Sequence, residues 1–161
     1  MVVNIIQDID KILVDRVDEQ QPLGRHLLVL FRSFENELLR RLAIEGVRDV
    51  SIADLQILHF VRPQGSCATE IGRLAGISKQ AVGKTVSSLK RRGYLLVRRS
   101  TLDGRSHRIV FSAQGLRLVT TAIAIIREIE KAYMAAVGAK RFVELKSTLA
   151  ELIQKFPMSE D

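Results

Sequence analysis

Apolar positions along the chain recur mostly at helical spacing, with short breaks between the runs. Ile5, Ile6, Ile9, Ile12 and Leu13 follow that spacing, and Asn4 with Gln7 three residues on resembles a capping box, so a helix is predicted over 4–18. After Pro22, the residues Leu27, Leu30, Phe31, Phe34, Leu38 and Leu42 trace one face of a second helix, which Gly46 ends. Ser51 opens a third, from Ile52 to about Val61, with Leu55, Leu58 and Val61 as its expected buried stripe; Pro63 and Gly65 mark the next turn. A short fourth helix is expected from about Ala68 to Ala75.

The sequence Ala75-Gly76-Ile77-Ser78 reads as a tight turn into a fifth helix, Lys79 to Arg92, with Ser78 placed to cap its first free amides and Gly93 to close it. The period then changes. Tyr94 to Arg99 has the β-branched and apolar content of a strand, Ser100 to His107 is a polar loop around Asp103-Gly104, and Arg108 to Ser112 is the returning strand. A helix pair, a turn and a β-hairpin together predict a winged helix-turn-helix. Beyond it, Ala113 to Ala136 forms a long helix carrying Leu116, Val119, Ile123 and Ile126. After Gly138 a last helix carries Phe142, Leu145, Leu149, Leu152 and Phe156, until Pro157.

The expected class is therefore mainly α with a small β-hairpin wing (α+β). Residues 1–46 are expected to be amino-terminal helices that dimerise, 47–112 a winged lobe, and 113–161 carboxyl-terminal dimerisation helices continuous with the amino-terminal ones. The terminal helices carry apolar stripes that a small lobe could not cover alone, which points to a homodimer. A hydrophobic content of 47% in 161 residues supports a packed core.

Charge sharpens this picture. From Arg73 to Arg108 the chain places ten of its 25 basic residues and a single acid, Asp103, although its whole balance is only +7. A patch of one sign attracts a polyanion, and neutralising phosphates releases condensed counterions, so double-stranded DNA is the expected partner. On the fifth helix Val82, Val86 and Leu89 share one face, whereas Gln80, Lys84, Ser87 and Arg91 lie about half a turn away. One face packs and the other is free to read a major groove, with Lys79 and Gln80 deepest. The plain alternative is a solvated polar face. The absence of any acid from Lys79 to Arg92 counts against it, because solvated faces usually mix both signs. Gly83, mid-helix on the polar side, costs roughly 1 kcal/mol relative to alanine. It reflects either close approach of DNA or a glycine tolerated in a well-packed helix.

The string from Asp103 through Gly104, Arg105, Ser106, His107, Arg108, Ile109, Val110, Phe111 and Ser112 to Gly115 resembles the wing signature of the MarR family of bacterial transcription regulators. Gly76-Ile77-Ser78, Ala81-Val82 and Lys90-Arg91-Arg92-Gly93 resemble the same family's recognition segment, and the resemblance extends over residues 24–156. It implies a homodimer with interlocking terminal helices and two lobes reading a near-palindromic operator, as an effector-responsive repressor. In that arrangement Ser78, Lys79, Gln80, Gly83, Lys84, Ser87 and Arg91 serve the major groove. Arg98, Arg99, Asp103, Gly104, Arg105, Ser106 and His107 form the wing site: Arg105 enters the minor groove braced by Asp103, and Arg91, Arg98 and Arg99 hold phosphates. Gly83 departs from the family's small hydroxyl residue, and residues 1–23 exceed the minimal pattern. The latter extend the dimer interface or stabilise the core. A small aromatic or anionic effector is implied, with Phe31, Phe34 and His59 as candidates that also read as core.

Other chemistry is sparse. Cys67 stands where Ser or Thr would cap a helix, a position that can activate a thiol or be a plain turn residue. His26 and His59 read as core-edge or surface residues, and His107 as a phosphate or solvent contact. With one cysteine and three separated histidines, no metal-ligand spacing or cofactor is evident. No phosphate-binding glycine loop or nucleophile constellation is present, so no catalytic residue is expected. Asp8 and Asp10 interrupt the apolar amino terminus, and the run Leu118 to Ile126 is far short of a membrane span, so a cytoplasmic protein is expected. A winged-helix protein-interaction module without specific DNA reading is the alternative function.

Overall fold

A computed structural model describes residues 20–99 and 107–157. The helix expected at 4–18 lies outside the described residues. Helix α1 (Leu23–Ile44) is followed by α2 (Ile52–Phe60), α3 (Ala68–Ala75) and α4 (Lys79–Arg91). Strands β1 (Leu95–Arg99) and β2 (His107–Phe111) come next, then α5 (Ala113–Val137) and α6 (Ala139–Lys155). The strands pair antiparallel, Leu95 opposite Phe111 and Arg99 opposite His107, and Ser66 bridges to Ile109 on the far side of β2. The fold class is mainly α with a small hairpin wing, as the sequence pattern implies.

The chain divides at Glu37/Leu38 into two compact units. Of the first, residues 20–37 are described. There Leu27, Leu28, Leu30 and Phe31 are exposed, whereas Glu35 is buried. In the second unit α3 packs on α4, α2 packs on both, and α4 also meets β1. The core of this lobe comprises Ile57, Leu58, Val61, Ile71, Val82, Val86, Leu89, Tyr94, Leu95 and Ile109. Complete burial of each aliphatic side chain stabilises by about 1.5–3 kcal/mol, which holds the helices together.

Several apolar stripes differ from the expected ones. In α1 only Leu38 and Leu42 of the expected face are buried; Leu27, Leu30 and Phe31 are exposed and Phe34 is half-buried. In α2 it is Ile57 with Leu58 that turns inward, and Leu55 is half-buried. That helix is apolar on most sides, so spacing alone could not select its inner face. In α5 the buried face is Gly115, Leu118, Ile125 and Ile129, whereas Leu116 and Ile123 are exposed and Val119 and Ile126 half-buried. Only Phe142 is buried on α6; Leu145, Leu152 and Phe156 face solvent and Leu149 is half-buried. The expected stripes of α5 and α6 are real apolar faces that the single chain leaves largely uncovered.

Candidate nucleic-acid interface

Helix α4 is set by chemistry at its start. Gly76 ends α3 in the left-handed region at φ 65°, which glycine adopts without a Cβ clash, so α4 begins after a three-residue turn. Ser78 is extended and its side chain accepts a hydrogen bond from the Ala81 amide at 3.1 Å. The helix then buries Val82, Val86 and Leu89. Ser78, Lys79, Gln80, Gly83, Lys84, Ser87 and Arg91 are all exposed. At 1.5 Å per residue, Lys79 to Arg91 extends about 18 Å along the surface.

Among the described residues the charges on this surface lack counterparts. Lys79, Lys84, Lys90, Arg91, Arg98 and Arg99 form no ion pair with any described residue. The first turn of α4 holds no acid, so its free amides and partial positive charge coincide with Lys79. An end built this way is electrostatically suited to an incoming anion.

The wing continues the same surface. Arg98 and Arg99 on β1 are exposed, and exposed His107 pairs opposite Arg99. Asp103, Gly104, Arg105 and Ser106 lie outside the described residues. Ser112 and Gly115, the last elements of the wing signature, have structural reasons to be what they are. The Ser112 hydroxyl donates to the backbone carbonyls of Gly93 and Tyr94 and accepts from the Gly115 amide at 2.9 Å, capping α5. A Cβ on Gly115 would stand 2.0 Å from the Tyr94 carbonyl oxygen, so only glycine lets α5 start this close to the wing.

Two arginines of the basic stretch point elsewhere. Arg108 donates to the Gly65 carbonyl at 3.3 Å. Arg92, the C-cap residue of α4, meets Asp54 at 2.6 Å, and Tyr94 donates its hydroxyl to Asp49 at 2.6 Å. Burial pushes the Asp54 carboxyl up, but the hydrogen bonds from Arg92 and from the Ser51 backbone and hydroxyl outweigh it, leaving the pKa below the ordinary aspartate value. The Asp54 hydrogen bond raises Arg92 still further. Burial, with donation to Asp49, raises Tyr94. Sequence reasoning did not single out Asp49, Asp54 and Tyr94, and it grouped Arg92 with its neighbours. The Ser51-x-x-Asp54 capping pattern was the one legible signal, and both of its hydrogen bonds form.

The remaining candidates are dispersed. Cys67 caps α3, its sulfur accepting from the Glu70 amide at 3.4 Å. His26 lies 3.2 Å from the Pro22 carbonyl. Phe31 is exposed and Phe34 half-buried on the first unit, whereas His59, in the second, is exposed and edge-on to Phe60 at 4.9 Å. None of the three lines the open groove of about 530 Å³ between the end of α1 and α5, which is bounded by Arg41, Glu45, Thr121, Ile125 and Glu128. Among the described residues no cluster of His, Cys, Asp or Glu could hold a metal, and no helix is long and apolar enough to cross a membrane.

A helix pair presenting an acid-free polar face beside a basic hairpin defines a winged helix-turn-helix protein. Residues 48–106 match the model of the MarR family, so the family resemblance of the wing and recognition segment holds, and the chain has the fold of MarR-family transcriptional regulators. The transcriptional repressor CouR bound to a 23-mer DNA duplex is similar at a TM-score of 0.68 and 22% identity, over 86% of this chain and 99% of that one. CouR from Rhodococcus jostii RHA1 bound to p-coumaroyl-CoA aligns at 0.67 and 17%, over 86% and 95%. The MarR family protein Rv2887 of Mycobacterium tuberculosis, in complex with salicylic acid, aligns at 0.63 and 24%, over 84% and 99%. No curated protein gave a significant sequence match.

Proposed function

We propose that this chain is a sequence-specific DNA-binding transcriptional regulator, a repressor that binds a near-palindromic operator as a homodimer and responds to a small effector. The observation that carries the reading is the α4 surface: seven exposed residues, no acid, and cations that form no ion pair with a described residue, on a lobe with its own buried core. Lys79, Gln80, Lys84 and Ser87 read base edges in the major groove, Arg91, Arg98 and Arg99 hold phosphates, and Arg105, braced by Asp103, enters the minor groove. The exposed apolar faces of α5 and α6 support a second copy as partner, and two lobes would then meet half-sites about 34–36 Å apart. The salicylic acid and p-coumaroyl-CoA bound by similar folds support an aromatic or anionic effector.

A mobility-shift titration over several salt concentrations tests this, using DNA that flanks the coding region. Affinity should fall steeply with salt, and Lys84→Ala and Arg105→Ala should each weaken binding and flatten the salt slope by about one. Binding that ignores both salt and substitution would sink the proposal.

A further inference from the structure

Arg92 belongs to the basic run Lys90-Arg91-Arg92, yet its side chain turns back into the lobe. Its Nη2 donates to Asp54 Oδ1 at 2.6 Å, its Nη1 to the Asp49 backbone carbonyl, and its Nε to the Ser88 carbonyl at 3.4 Å. One guanidinium thus joins three pieces of chain: the last turn of α4, the segment before α2, and the first turn of α2. Ser51 holds the other Asp54 oxygen through its amide at 2.8 Å and its hydroxyl at 2.7 Å. Tyr94, just before β1, donates to the Asp49 carboxylate at 2.6 Å, and its ring centre lies 5.9 Å from the Arg92 guanidinium carbon. The side chains are withdrawn from water, Asp54 at 6% exposure and Arg92 at 22%.

The rest of the α4 anchorage is different in kind. Val82, Val86 and Leu89 hold the helix down by apolar contact, which has no preferred direction and tolerates small rotations and slides. Charge-assisted hydrogen bonds on a planar guanidinium are directional. The Arg92 cluster therefore sets the angle and register of α4 against α2, and through Tyr94 it ties the base of the wing to the same point.

We propose that Arg92 is a positioning residue for operator reading: held by Asp54 and Asp49, it fixes the orientation at which α4 presents Lys79, Gln80, Lys84 and Ser87, and it binds no phosphate. This rests on the DNA-reading function proposed above. An Arg92 that bound phosphate would behave oppositely. Its removal would flatten the salt slope by about one, and Asp54→Ala, by freeing the guanidinium and removing an acid, would tighten binding to any duplex.

Fluorescence-anisotropy titrations of the full-length protein decide between these outcomes. The probes are the duplex that wild type enriches from a random-sequence pool and a scrambled duplex, each at three salt concentrations. Arg92→Ala and Asp54→Ala are each expected to lower the preference for the enriched duplex about tenfold, with scrambled-duplex affinity and salt slope as in wild type. The double variant should be no worse than either single one. Arg92→Lys keeps the charge but cannot span three partners, so it should lose preference as Arg92→Ala does. If the alanine variants do not fold, as thermal melting would reveal, Arg92→Lys and Asp54→Asn carry the same expectation. A flattened salt slope, an unchanged preference, or tighter binding by Asp54→Ala overturns the proposal. Failure of the DNA-reading function shows separately, as wild type that enriches no duplex, and the proposal then falls with it.

Discussion

The winged lobe and the two helices that follow it divide their chemistry in opposite ways. In the lobe Ile57, Ile71, Val82, Leu89 and Leu95 are fully enclosed, while Lys79, Lys84, Lys90, Arg91, Arg98 and Arg99 face water without a carboxylate partner among the described residues. In α5 and α6 all four lysines are paired: Lys131 with Glu128, Lys140 with Glu144, Lys146 with Glu130 and Lys155 with Glu151. What those helices leave open is apolar, with Leu116, Ile123, Val143, Leu145, Ile153 and Phe156 exposed. The lobe thus leaves mainly cations to an outside partner, whereas α5 and α6, although Arg117, Arg127 and Arg141 form no ion pair with a described residue, leave mainly apolar side chains. An acid-free basic surface favours a polyanion, and a helix pair with an uncovered apolar face favours another apolar surface.

The largest expected effect follows from the apolar side of that contrast. Ile153 and Phe156 are 70% and 76% exposed at the end of the chain's last helix. If the proposed homodimer closes over this face, replacing both with Glu should raise its dissociation constant by about 100-fold or more, because buried anchors dominate association energies. Sedimentation should show a monomer, and operator binding should be lost while the lobe still melts cooperatively. A variant that stays dimeric would break the comparison, because these side chains would then be solvent-facing in the assembly too.

A middle-sized effect separates two carboxylates that both sit below their ordinary pKa. Glu128 is lowered by its hydrogen bond to Lys131, but it lies on the open surface, where water and salt screen the pair; Glu128→Gln should leave stability unchanged. Asp54 is lowered against the opposing effect of burial. Because its folded pKa lies below the unfolded value of about 3.9, its contribution is fully present above that pH. It is lost as pH falls through the folded value. Urea unfolding between pH 7 and pH 2 should show acid-sensitive stability that Asp54→Asn lacks. Equal acid sensitivity in the two proteins would assign the effect to other groups.

The same contrast explains what was legible in the sequence. The two faces of α4 were readable because its apolar positions are few and strictly spaced, so Val82, Val86 and Leu89 left only one outward surface. Ser112 and Gly115 stood out as a signature, and their reason, a cap and a carbonyl 2.0 Å from any Cβ, needed coordinates. The inner face of α5 was not readable. Leu116, Leu118, Val119, Ile123, Ile125, Ile126 and Ile129 surround much of that helix, and burial selected Leu118, Ile125 and Ile129. Arg92 was hidden for another reason. Sequence shows charge density but not pairing, and its partner Asp54 lies 38 residues away along the chain.

The smallest expected effect falls on Gly83, where fold and function make opposite demands. A Cβ at this exposed position on α4 would meet nothing within 4 Å, so the lobe itself gives no reason for glycine. Gly83→Ala should therefore stabilise the helix by roughly 1 kcal/mol and raise the melting temperature. If the α4 surface lies against DNA as proposed, the added methyl stands between helix and duplex, and operator affinity should fall severalfold in the same protein that has become more stable. The two measurements together carry the argument, because drift in a tolerant helix would raise stability and leave affinity alone. A more stable variant that binds as well as wild type would mean that α4 stands off from the backbone at this point. The reading contacts would then have to come from its amino-terminal turn, Lys79 and Gln80, and from the wing.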